Sequence, residues 1–195
     1  MPHPVRDFRR RRRVDVRPDA LWQDNAVGAT LFRAQSYQNL STITSGKLYL
    51  CAVGLVAGRK ISSIAFSSGS VALTHGSGNN SAWWFALYGP TLALLGQTAN
   101  QGQTAWGTYT VKDLALATPA VIPVSGCYYA GVMVYPGTGG SPAVPNFWGV
   151  APGQNLTPRT PILCGDSTSG LTGGTAPAQA DAITYGSYLP WCQLR

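Results

Sequence analysis

The chain has 195 residues, 45% of them hydrophobic, which is enough to bury one good core and too much for wholesale disorder. Only 11% are charged, Glu is absent, and 23 Gly and 14 Pro punctuate the sequence, so the ingredients of surface helices are missing and strands and turns must dominate. No stretch approaches the roughly 20 uninterrupted apolar residues of a membrane-spanning helix, and no membrane partner is expected.

The formal charge of +7 is local. Arg6, Arg9, Arg10, Arg11, Arg12, Arg13 and Arg17 face only Asp7 and Asp15 within residues 1–17, which leaves +5 there and +2 elsewhere. Val14, Asp15, Val16, Arg17, Pro18 and Asp19, three of them charged, follow the Arg run where a secretory signal would have an apolar stretch, so no cleaved signal is expected. Residues 1–42 therefore predict a basic arm with too few apolar residues for a core of its own. Arg9 to Arg13 and Arg17 have three readings. They can dock carboxylates of a neighbouring protein through bidentate contacts, neutralise about five phosphates of a nucleic acid, or remain solvated. Docking fits best, because the rest of the chain offers no basic track to continue a nucleic-acid surface.

From about residue 43 the texture changes to short apolar or alternating runs separated by turn residues. Eight strands are predicted, over 47–56, 60–66, 70–74, 82–88, 92–98, 105–116, 120–124 and 127–135. Gly58, Gly69, the run Gly76 to Asn80, Gly89-Pro90, Gly102, Pro119 and Ser125-Gly126 break them. No helical period intervenes that could make parallel crossovers, so residues 43–136 predict an all-β domain: a single antiparallel β-sandwich, jelly-roll-like. In Trp83-Trp84-Phe85-Ala86-Leu87-Tyr88 successive side chains face opposite sides of the sheet, so one Trp enters the core and the other the outer face. Tyr128 and Tyr129 divide in the same way. Strands apolar on both faces call for a third layer, made either by a neighbouring subunit or by the C-terminal tail.

Residues 137–195 are rich in Gly, Pro, Ser and Thr and predict an irregular, extended tail. Phe147, Trp148, Tyr185, Tyr188 and Trp191 would pin it at intervals on the sandwich or on a neighbour.

The stretch from Ile43 to about Gly137 resembles a β-sandwich module of tail-fibre, minor tail and related surface proteins of phages that infect actinobacteria. The residues carrying the likeness are Gly46-Lys47-Leu48-Tyr49-Leu50, Val56 to Ile64, Trp84-Phe85-Ala86-Leu87-Tyr88, Leu94-Leu95-Gly96-Gln97-Thr98, Trp106, and Pro119, Val121, Ser125, Gly126, Tyr128, Tyr129 and Gly131 in that order. The resemblance implies a virion structural protein on the particle surface, assembled in the host cytoplasm among other virion proteins. It would be a tail-fibre or tail-tip (minor tail) subunit or a head decoration protein. A homo-oligomer, with a trimer favoured by analogy to fibre modules, and contact with host surface glycan are further implications. The alternative is an icosahedral jelly-roll coat protein whose Arg-rich arm binds nucleic acid. Trp83, Trp84, Trp106 and Tyr129 are the candidates for glycan or subunit contact, the competing reading being that they fill core and interfaces.

Catalytic groups are scarce between residues 43 and 195: Asp113, Asp166, Asp181 and His75. Without Glu there is no convincing carboxylate pair for glycoside hydrolysis, no serine sits in a G-x-S-x-G elbow, and the Gly-rich turns lack the Lys-Ser/Thr ending of a phosphate loop. Cys51, Cys127, Cys164 and Cys192 stand 76, 37 and 28 residues apart, which is not zinc spacing. Buried thiols are expected at Cys51 and Cys127, with a Cys164–Cys192 link left open. The expectation is thus a protein without enzymatic activity, cofactor or metal.

Overall fold

The computed structural model describes residues 28–29, 38–150, 162–186 and 189–195, with only the backbone at 28–29. The Arg run and most of the expected arm lie outside them. No helix occurs among the described residues. They form thirteen strands, β1 (Gly28–Ala29), β2 (Gln38–Thr42), β3 (Leu48–Leu55), β4 (Lys60–Ser67), β5 (Ala82–Tyr88), β6 (Leu94–Gln97), β7 (Val111–Val121), β8 (Gly126–Tyr135), β9 (Asn146–Val150), β10 (Cys164–Asp166), β11 (Thr184–Tyr185), β12 (Leu189–Pro190) and β13 (Cys192–Leu194).

Every strand pairing is antiparallel. A four-stranded sheet runs β1-β13-β4-β7, a six-stranded sheet β11-β10-β3-β8-β5-β6, and a small third sheet β12-β9-β2. This is the expected all-β, sandwich-like architecture. Between the two larger sheets lies the main core, with Ile61, Ile64 and Phe66 of β4 meeting Val53 and Leu55 of β3, Trp83, Phe85 and Leu87 of β5, and Tyr128, Val132 and Val134 of β8. A bridge between Thr98 and Leu116 joins the ends of the two sheets on one side.

Three of the eight expected strands are different in the structure. Residues 70–74 make a loop with a single bridge, Thr74 to Ala143, because the side chains of Asn39 and Asn146 take the places of a partner strand: their Oδ1 atoms accept from Ser70 N and Val71 N, each at 2.7 Å. Residues 111–121 form one strand where a break at Pro119 had been expected. Pro119 is tolerated because β7 is an edge strand and because the register against β4 jumps from Ile61–Ala120 to Ser63–Ala115, so that the proline sits in an irregularity with no ladder bond to lose. The strand begins only after Tyr109, whose φ of 48° interrupts any extended run from residue 105.

The sheets also run past residue 136, where the sandwich had been expected to give way to a tail. The segment 137–195 supplies β9 to β13, and three of these are interior strands: β13 lies between β1 and β4, β10 between β11 and β3, and β9 between β12 and β2. Gly149 and Gly165 permit the close approach. A Cβ at the first would run into the backbone of Leu189 and Pro190, and at the second into the carbonyl of Thr184.

Candidate functional site

The outer face of the six-stranded sheet was the obvious candidate surface, because β5 is buried along its whole length. Its outward side chains, Trp84, Ala86 and Tyr88, join Leu48 and Leu50 of β3 and Tyr129 and Met133 of β8 in a second apolar cluster. Gly131 makes room within it: a Cβ there would stand 3.1 Å from both Leu48 and Leu50 and 3.3 Å from Tyr88. The cover is the chain's own C-terminal segment, which contributes Leu171, Ala176, Ala180 and Ile183. Of the two expected covers, neighbour or tail, the tail occupies the face.

Hydrogen bonds from side chains below fix this cap. Gln97 acts as a backbone surrogate, accepting from Ala176 N at 2.7 Å through Oε1 and donating to Gly174 O at 2.9 Å through Nε2. Trp84 Nε1 donates to Gly173 O at 3.1 Å, and Tyr88 Oη to Pro177 O at 3.3 Å. Leu94 N and Ala178 O meet at 2.9 Å. Sequence reasoning missed Gln97 as the anchor, although the residue stood inside one of the motifs that carried the resemblance.

Three of the four aromatic candidates are wholly buried, Trp83, Trp84 and Trp106 at 0% exposure, and Tyr129 retains 6%. None offers a ring face to a sugar. Trp83 and Trp106 stack in the main core at 5.1 Å and 25°, with Phe85 and Phe147 edge-on to Trp106 at 5.4 and 5.6 Å. Both indole N–H groups find carbonyls, Trp83 donating to Thr104 O at 3.1 Å and Trp106 to Thr110 O at 3.0 Å. Among the described residues the exposed aromatic is instead Tyr109, 61% accessible, packed edge-on against Trp148 at 5.8 Å with the Asn39 amide at 3.5 Å from its hydroxyl. Its positive φ is held by a bond from Tyr109 N to Gly69 O of 2.7 Å. No hydrophobic alternation marked it.

No family model, no curated protein and no solved structure matches this chain.

The groups that could do chemistry are tied into the scaffold. Asp113 accepts from Arg195 Nη1 at 2.7 Å, while Arg195 Nη2 donates to Gln193 at 3.2 Å. Asp166 pairs with Lys47, and the hydrogen bond to that carboxylate holds the Lys47 ammonium above its usual range. His75 Nε2 lies 3.1 Å from Thr104 O, and its buried Nδ1 has no hydrogen-bond partner. Asp181 is engaged through its backbone, accepting from Ser167 Oγ at 2.6 Å and donating to Thr168 Oγ1 at 3.1 Å. Among the described residues no group of three or more His, Cys, Asp or Glu is arranged to hold a metal ion. None of the four cysteines is in a disulfide, and burial pushes up the thiols of Cys51 and Cys127, which makes them poor nucleophiles while the sheets stay closed. Arg9, Arg10, Arg11, Arg12, Arg13 and Arg17 fall outside the described residues.

Proposed function

We propose that this chain is a non-enzymatic structural subunit of a bacteriophage virion, displayed on the particle surface as a tail-fibre or tail-tip subunit or a head decoration protein, and anchored by its N-terminal arm. The observation that carries this reading is the division of labour along the chain. The carboxylates of Asp113 and Asp166 are paired with Arg195 and Lys47 of the same body, the outer face of its six-stranded sheet is covered by its own C-terminal segment, and the excess positive charge is concentrated in residues 1–17. A self-sealed sandwich with one charged appendage suits a display module better than a catalyst. The arm supplies guanidinium forks for carboxylates on a neighbouring virion protein. Homo-oligomerisation, with a trimer favoured, follows by analogy with fibre modules. A glycan contact, where the module makes one, falls to Tyr109 and the adjacent Trp148 and Asn39, since the four residues first considered are covered.

Deleting residues 1–17 tests the anchoring. The expected result is a soluble, folded body that no longer joins the particle, while the intact protein binds DNA or RNA only weakly and loses that binding between low and physiological salt. Truncated protein that still decorates particles normally overturns arm docking. Tight nucleic-acid binding that survives physiological salt, with the arm pointing into a genome-filled interior, replaces this reading by the icosahedral coat protein.

A further inference from the structure

Cys51 on β3 and Cys164 on β10 are direct partners in antiparallel register. The neighbouring bonds show which kind of partners they are. Ala52 N donates to Leu163 O at 2.7 Å and Ser167 N to Leu48 O at 2.9 Å, so the pairs 52–163 and 48–167 are hydrogen-bonded. Since hydrogen-bonded and non-hydrogen-bonded pairs alternate along an antiparallel ladder, 51–164 is of the second kind, with Cα atoms about 4.5 Å apart and side chains on one face. That spacing lies inside the window of about 4.4–6.8 Å in which a disulfide closes without backbone movement. Both side chains are buried, at 0% and 1% exposure.

The other thiols are less well placed. Cys192 belongs to β13 in the facing sheet and enters the same core, so it is not a register partner of Cys51 as Cys164 is. Cys127 pairs with Gly54 and sits with the outer cluster, beside Tyr129. Burial, then Cys192, then Cys164 raise the Cys51 thiol.

We propose that Cys51 and Cys164 are a built oxidation site, closing to a disulfide that staples β10, and with it the cap that follows, onto β3. With hydrogen peroxide as oxidant the step is balanced. One thiolate displaces water from the peroxide to give a sulfenic acid, and the second attacks that sulfur and releases a second water, so two thiols and one peroxide yield one disulfide and two waters. Access comes through β10, a strand only three residues long, whose Cys164 Sγ lies 3.4 Å from Gly186 O and which local opening can lift from β3. This inference does not rest on the proposed function.

The test uses the full chain, incubated with hydrogen peroxide, alkylated, digested without reductant and mapped by mass spectrometry. A single linked peptide pair joining Cys51 to Cys164 is expected, together with a thermal midpoint raised by about 10 °C that reverts on reduction. The Cys192→Ser variant should keep both results, whereas Cys164→Ser should lose the redox-dependent shift. A link through Cys192, or complete alkylation of all four thiols after peroxide treatment of the unaltered chain, overturns the assignment, and that second measurement stands whether or not either variant folds.

Discussion

At the scale of single residues, the sandwich depends on a few large side chains whose polar atoms are all accounted for. Trp106 is the sharpest case, because it reaches the core from a loop, stacks on Trp83 and receives the edges of Phe85 and Phe147. Its removal empties a large volume that rigid strands on both sides cannot collapse to fill. Trp106→Ala should cost about 3–5 kcal/mol, read as a lower midpoint in denaturant with the slope unchanged. Trp106 was recognisable in the sequence as a core or interface candidate, but its placement was not. The expected strand 105–116 would have carried it by alternation, whereas a residue held at positive φ, Tyr109, separates it from the strand. Burial of Trp83 and Trp84 on opposite faces, by contrast, followed directly from the period of two. What alternation leaves open is whether an outward face stays wet, and here the answer lay some ninety residues downstream, in the cap that receives Trp84 Nε1.

Individual elements divide by how strongly they announced themselves. Strand β5 was legible to the residue and β3, β4 and β8 to within about one at each end, since each is a run long enough for alternation to show. Strands β9 to β13 were not legible. They are two to five residues long, they interrupt a Gly- and Pro-rich stretch, and they exist because earlier strands present open edges for them. The cap has no regular structure and depends on side-chain anchors, so its stability should be separable from that of the sheets. Replacing Gln97 by Ala leaves the buried amide of Ala176 and the carbonyl of Gly174 without their partner. A loss of about 1–3 kcal/mol is expected, with amide exchange accelerating over residues 171–180 while β3, β5 and β8 stay protected. Uniform acceleration across all strands would mean that cap and sheets open as one unit.

For the molecule as a whole, the ionisable groups that burial perturbs act in the same direction. Burial raises the phenol of Tyr88, and burial, with smaller contributions from Cys127, pushes Tyr129 to about 12. Cys51 and Cys127 are raised as well, and Lys47 is raised by its bond to Asp166. A folded-state value above the unfolded one gives stability that is complete below the unfolded value and lost as pH climbs through the folded one. The unfolded values are about 8.5 for Cys and about 10 for Tyr and Lys. The thermal midpoint should therefore change little from these groups near neutrality and fall from about pH 9 upward, as followed by thermal melts across pH. Tyr88→Phe should flatten the alkaline limb, because it removes the group that must ionise inside the apolar layer. The basic arm makes no contribution to this profile, since guanidinium groups stay charged throughout.

The position of β13 has a consequence for the order in which the protein can be made. The last strand of the chain fills the slot between β1 and β4, and Arg195 closes it with its backbone N on Ser63 O and its O on Ser62 N and Ser63 N. A nascent chain on the ribosome therefore carries β4 with one edge open, and its Ile64 and Phe66 lack the strand beside them, until residues 192–194 have emerged. Folding of this sheet waits on a pairing well over one hundred residues apart in sequence, the kind that is slow and exposes sticky edges meanwhile.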